Sequence, residues 1–295
     1  MAVSAARIAA RRATNGAFVG FCWFVTAIAL LFLAAVLWTL LQKGVAGLSL
    51  DTFTMDTPAS GSRGGLRNAI IGSVILCSLA MLIAVVVGIL SGTWLAEYAG
   101  ESRYGSVVRF INDVLLSAPS ILIGLFVWYL LVANVFHHFT AWAGAVALAI
   151  IAVPVIARVT EDVLRLQPTA LRESGMALGT PFWTVVRTIL WRAASSGILT
   201  GALLAFARIS GETAPLLFTA LNNQFNNWDA HRPFSSVAQV MGQPIASLPV
   251  VMFNDALSAY DDLQRLAWTA ALIVSVSVLG VIIIARVLTR EQKSQ

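Results

Sequence analysis

The chain has 295 residues, 58% of them hydrophobic and 11% charged, with a formal net charge of +5 at pH 7. Soluble domains carry roughly 25% charged residues, so this composition excludes a water-exposed fold and points to an integral membrane protein. The basic surplus falls in short segments between apolar runs, where membrane topology places it, and this sets nucleic-acid binding aside.

A membrane-crossing helix needs about 20 mostly apolar residues. In chain order the first such run covers 18–41, preceded by Arg7, Arg11 and Arg12. A cleaved signal sequence has an apolar run of only about 7–15 residues, so this one is read as a retained helix. Further runs follow at 68–95, 114–133, 142–164, 193–221 and 266–288. The expectation is an all-α integral membrane protein of six transmembrane helices. Thirteen Lys and Arg fall on the side of the termini and five on the other, so the N- and C-termini are expected in the cytoplasm. The chain divides into 1–66 (tail, first helix and outer loop), 67–288 (five helices and an inner loop) and a short tail at 289–295. The outer loop 42–67 is rich in Gly, Ser and Thr and reads as a solvated connector. Segment 222–262 mixes Asn, Pro and aromatics, which suits a membrane-surface helix or a docking surface.

Several features have plain readings. Cys22 and Cys77 lie in apolar runs and read as plain membrane-buried thiols. His137 and His138 read as a polar helix end, and the carboxylate pairs Glu161–Asp162 and Asp261–Asp262 as solvated helix termini. The steps Gly88–Gly92 and Gly197–Gly201 favour close helix contacts. Pro119 and Pro154 each mark a hinge or a kink within a span. The only lysines, Lys43 and Lys293, both follow glutamine, so no phosphate-cradling Gly-Lys-Ser/Thr loop exists and no ATP site is expected. No cofactor is expected either.

Two stretches do not read as plain spans. The inner loop 165–192 holds a short helix of its own, started by Pro168 and stopped by Gly179 and Pro181. It is too short to span and too apolar to float, so it should pack on lipid or on a partner. The second stretch is "ARISGETAPLL", 207–217. Arg208 and Glu212 stand four residues apart on one helix face. Counted from residue 193, Arg208 lies roughly 22 Å into the span at about 1.5 Å per residue, just past mid-membrane. Thr213 and Ser210 make the neighbourhood polar, and Pro215 frees the Gly211 carbonyl. An intramembrane charge is expensive and reads as functional by default. The planar fork of arginine suits an oxyanion.

The inner loop resembles the signature of ATP-binding-cassette importer permeases: Glu-Ala-Ala, three residues, Gly, nine residues, Ile. Here it runs Glu173-Ser174-Gly175, then Gly179, then Ile189. Trp191-Arg192 stand where that family usually has Leu-Pro. The stretches "GTWLAEYAG", "SAPSILIGLFV", "VPVIARVTEDVLRLQPTALRESGMALGTP", "GILTGALLAFARISGETAPLLFTA" and "ASLPVVMFN" narrow the resemblance to the phosphate importer permeases of PstA type. The resemblance implies a type I importer permease fold in the plasma membrane and no enzymatic activity. It implies that Glu173, Ser174, Gly175 and Gly179 belong to a coupling helix seated on an ATPase. It implies that Arg208, Glu212 and Thr213 line the phosphate route. The implied partners are a homologous permease forming a heterodimer, two ATPase subunits and an extracytoplasmic phosphate-binding protein, all set in membrane lipid. The competing readings are a permease for another oxyanion or the partner-type phosphate permease, a gradient-driven transporter, and a structural or sensory subunit.

Overall fold

The computed structural model describes residues 5–224 and 239–291. Among these, all regular structure is helical: α1 (Ala5–Ala46), α2 (Leu50–Thr54), α3 (Arg67–Glu97), α4 (Arg103–Ser117), α5 (Ser120–Val127) running on as a π-helix (Trp128–Phe136), α6 (Ala141–Arg165), α7 (Thr169–Ala177), α8 (Phe182–Val185) running through a π-turn (Val186–Leu190) into α9 (Trp191–Ser210), α10 (Ala214–Thr219), α11 (Leu248–Ala256) and α12 (Asp261–Glu291). Five helices are long and apolar enough to cross a membrane, and the bent pair α4–α5 makes a sixth if counted as one span.

The core forms around α6, which packs most extensively on α3 and next on α9. Small residues permit this. A Cβ on Gly92 would stand 2.4 Å from the Ala157 carbonyl oxygen, and one on Gly88 would stand 2.7 Å from Ile156 Cβ. Gly197 and Gly201 likewise seat α9 on Val163 and Val159 of α6. Both glycine steps therefore serve packing within the chain. By contrast α1 carries a row of exposed apolar side chains, including Phe21, Trp23, Leu31 and Phe32, and its contacts run chiefly to α12.

Two expected spans are broken. The run at 114–133 is not one helix: α4 ends at Ser117, Pro119 starts α5, and the axis turns by 106°. Proline cannot donate the hydrogen bond that would continue α4, and it disfavours helical geometry at Ala118 before it. Pro154, in contrast, sits inside an unbroken α6, and Asn112 Nδ2 donates to its carbonyl at 3.2 Å. The run at 193–221 begins earlier than expected, at Phe182, and stops at Ser210 before resuming as α10.

The outer loops are also more ordered than their composition suggests. In 42–67, Arg67 donates through Nε and Nη2 to Asp56 at 3.0 and 3.1 Å. Asn68 Oδ1 accepts from the Thr57 backbone and hydroxyl at 3.1 and 2.9 Å. Of segment 222–262, residues 225–238 lie outside the described residues. The part from Val240 to Val251 is mostly buried rather than a surface. Its backbone is satisfied inside the fold: Ala141 N donates to the Gln243 carbonyl at 2.9 Å and Ile245 N to that of Ala220 at 3.2 Å. Gly72 of α3 touches the Ala246 carbonyl too closely for any Cβ.

Candidate functional site: a broken helix and a bonded inner loop

Arg208 stands two residues from the end of α9, where Gly211 closes the helix by donating to the Arg208 carbonyl at 3.3 Å. Glu212 N donates to the Ile209 carbonyl at 3.2 Å, and Thr213 then caps α10, its carbonyl accepting from Leu216 and Leu217. Pro215 falls in the first turn of α10, where a missing donor is harmless. The helix has therefore already ended, and Pro215 does not strip a bond from its interior as the continuous-span expectation required. Non-helical backbone at membrane depth is tolerated where it is buried in protein or lines a water-filled path. Here Gly124 of α5 supports one side, packed so closely on Pro215 that a Cβ would lie 2.6 Å from its Cα. A Cβ on Gly211 would meet only open space.

Arg208 and Glu212 do meet, with Nε 3.8 Å from Oε1. That is an ion pair, longer than the roughly 2.7–3.2 Å of a hydrogen bond. The Arg208 side chain keeps 34% of its surface exposed and that of Glu212 keeps 17%. The guanidinium is thus placed beside a carboxylate without being chelated by it. Ser210 Oγ donates to the Phe206 carbonyl at 2.7 Å, and Cys77 Sγ of α3 lies 4.0 Å from that hydroxyl.

The inner-loop residues occupy a different end of the molecule. The unbroken path Phe182–Ser210 has 29 residues, or about 40 Å of helix at about 1.5 Å per residue. Within α7, Glu173, Ser174 and Met176 are exposed, as is Leu178 just past its end at 83%. Gly175 faces inward instead, against Val185 and Ile189, where a Cβ would be 2.8 Å from both Val185 methyls. Gly179 ends the helix with φ +74°, a backbone conformation that favours glycine.

Five charged residues, Arg172, Glu97, Arg109, Glu161 and Arg165, hold this loop and the helix ends beside it. Arg172 donates to both oxygens of Glu97, at 2.8 Å from Nε and 2.6 Å from Nη2. It also donates to the Leu164 and Gln167 carbonyls, which end α6. Arg109 donates to Glu161 at 2.7 Å and to the Leu95 and Gly100 carbonyls at the end of α3. Arg165 approaches the same Glu161 oxygen at 2.8 Å. Glu161 is therefore a buried hub, with a side chain only 3% exposed, and not a solvated helix end. Asp162 is the solvated member of that pair, half-exposed and 3.3 Å from Arg158. The bond to Glu97 is the main cause that holds the Arg172 guanidinium still more firmly protonated than usual.

Helices broken within the bundle and an inner loop bonded to it suit an importer-type permease, and comparison with known proteins shows the family. The family described as "Binding-protein-dependent transport system inner membrane component" matches residues 84–294, and the chain belongs to it. In fold it resembles a chain of the MetNI methionine ABC transporter in an inward-facing conformation, with a TM-score of 0.58 at 18% identity, covering 76% of this chain and 95% of that one. It is 47% identical to the phosphate transport system permease protein PstA of Haemophilus influenzae over 96% of both chains. It is 51% identical to the PstA of Xylella fastidiosa strain Temecula1 over 86% of this chain and 85% of that one. The fold is accordingly that of a type I importer permease, and the protein is a multi-pass plasma-membrane protein.

Proposed function

We propose that this chain is the transmembrane permease subunit of an ATP-driven inorganic phosphate importer. The observation that carries the substrate is the high identity to PstA permeases along nearly the whole chain. In this reading ATP is hydrolysed on a separate ATPase, and the chain itself makes and breaks no covalent bond. Two copies of that ATPase dock on the inner face, with Glu173 and Ser174 as contacts, Gly175 seating the helix and Gly179 ending it. A homologous permease completes a heterodimer, and an extracytoplasmic phosphate-binding protein delivers the anion.

Arg208, Glu212 and Thr213 form the anion step. A unit anion at about 4 Å from the guanidinium gains about 4 kcal/mol at an effective dielectric of about 20. A carboxylate at about 6 Å from that anion offsets about 3 kcal/mol of this on the same scale. The site attracts phosphate yet holds it weakly, as conduction requires. The loose 3.8 Å pair supports this, because Arg208 keeps donors free for an oxyanion.

The test is reconstitution of the chain with its permease and ATPase partners and the binding protein in liposomes. Uptake of labelled phosphate should require ATP, survive collapse of ion gradients and resist excess sulfate or molybdate. Uptake that follows a gradient without ATP would overturn the importer reading, and equal competition by sulfate would overturn the substrate.

A further inference from the structure

Three separate parts of the coupling loop are fastened to one short stretch of α3. Arg172 of α7 makes its two bonds to Glu97, whose side chain is 2% exposed. Trp191 Nε1, at the start of α9, donates to Thr93 Oγ1 at 3.0 Å. Phe182 of α8 meets Tyr98 edge to face, with ring centroids 5.4 Å apart. The loop is thus bonded to residues 93–98, while α7 touches the following helix through the apolar contacts of Gly175 with Val185 and Ile189. Apolar contacts transmit pushing, whereas the bidentate pair fixes direction as well.

From Glu97, α3 runs unbroken and without proline back to Arg67. Cys77, twenty residues before Glu97 and so about 30 Å along the axis, is where α3 reaches Ser210, two residues from Arg208. The chain path from α7 to Arg208 crosses the residues 178–181, a π-turn and the whole of α9. The path through α3 crosses one ion pair, one unbroken helix and one side-chain contact.

We infer that Arg172 and Glu97 are positioning residues through which the coupling helix displaces α3, and that α3, through Cys77 and Ser210, sets the helix break that holds Arg208. Arg109 shares the load, because it caps the same end of α3 while bonded to Glu161. The inference rests on the ATP-driven permease reading given above, and it names where the motion enters the membrane.

The natural thiol of Cys77 is the reporter. Cys22, the other cysteine, is exposed on α1 and is replaced, Cys22→Ser, in every sample. The assembled complex is treated with a small maleimide, with and without a non-hydrolysable ATP analogue, and alkylation of Cys77 is timed. The analogue should change that rate by at least about fivefold, the lower end of typical allosteric couplings. Arg172→Lys, which keeps the charge but loses the fork, and Glu97→Gln should each bring the change below about twofold, while the ATPase still co-purifies and hydrolyses ATP. The exchange E97R/R172E should recover part of the response. An unchanged nucleotide response in both single variants overturns the inference, as does a Cys77 rate that ignores the analogue when Arg172 and Glu97 are intact. Failure of any ATPase to co-purify with the Cys22→Ser protein would instead sink the permease reading itself, a separable result.

Discussion

Glu161→Ala should release α4 from α6 without unfolding the core. The carboxylate takes a 2.7 Å bond from Arg109 Nε and a 2.8 Å contact from Arg165. Arg165 is 49% exposed, so its share is that of a surface pair, at most about 1 kcal/mol. Arg109 is 19% exposed and would lose its carboxylate partner while keeping two backbone carbonyls. Removing one member of a buried pair costs about 3–5 kcal/mol. The two surviving carbonyl bonds place the expected value at the low end, about 3 kcal/mol. At about 1.36 kcal/mol per decade this is a roughly 100-fold rise in local opening. Hydrogen exchange reads it directly: amides of α4 should exchange about 100-fold faster, while those of the α3–α6 core keep their protection. Less than about threefold acceleration in α4 would refute the reasoning that Glu161 holds the inner end of the bundle.

Other consequences follow from single side chains. Asp255 is 7% exposed and its Oδ2 has no hydrogen-bond partner, and burial first, then Asp262, push its carboxyl up to about 6. The folded state therefore binds the extra proton between about pH 4 and 6, and stability from this group falls as pH rises through that window and is level above it. Asp255→Asn should raise the thermal midpoint at pH 7 and flatten its dependence between pH 4 and 7, as differential scanning fluorimetry of the purified complex would read. Gly92→Ala forces a Cβ to within 2.4 Å of the Ala157 carbonyl oxygen and should destabilise by about 1–3 kcal/mol as overpacking, seen as a lower midpoint in the same assay. Gly179→Ala places a Cβ at φ +74°, at a strain of about 1–2 kcal/mol, and should reduce co-purified ATPase while the permease remains folded.

The parts of this fold that were legible in the sequence are those with local signals. Helices α3 and α6 fall within two residues of their apolar runs, because the runs are continuous and the flanks polar. The inner-loop helix α7 is legible from Pro168 and from Gly179, whose positive φ is the reason glycine stands there. The breaks at 118–119 and 211–213 were hidden, since the average hydropathy of a run does not register a turn inside it. Pro119 was visible, but its 106° consequence depends on where α6 and α10 hold α5. The ion pairs were hidden for another reason: Arg109 and Glu161 are 52 residues apart, and Arg172 and Glu97 are 75 apart. No local pattern pairs such residues, and a carboxylate near a helix end reads as solvated until the neighbouring helix is placed beside it. Segment 222–262 reads as surface because it mixes Asn, Pro and aromatics, yet in its part 240–251 bonds within the fold replace the water that this composition suggests.

Arg208 is the residue on which the proposed anion route depends most directly. In liposomes holding the complete complex, ATP-driven uptake of labelled phosphate is measured for Arg208→Gln, with permease and ATPase assembly checked on the same samples. Loss of one charged hydrogen-bonding partner is worth about 2 kcal/mol, so uptake should fall about 30-fold, and Arg208→Lys should recover part of it. Uptake at the unaltered rate by an assembled Arg208→Gln complex would contradict the claim that this arginine is the anion contact.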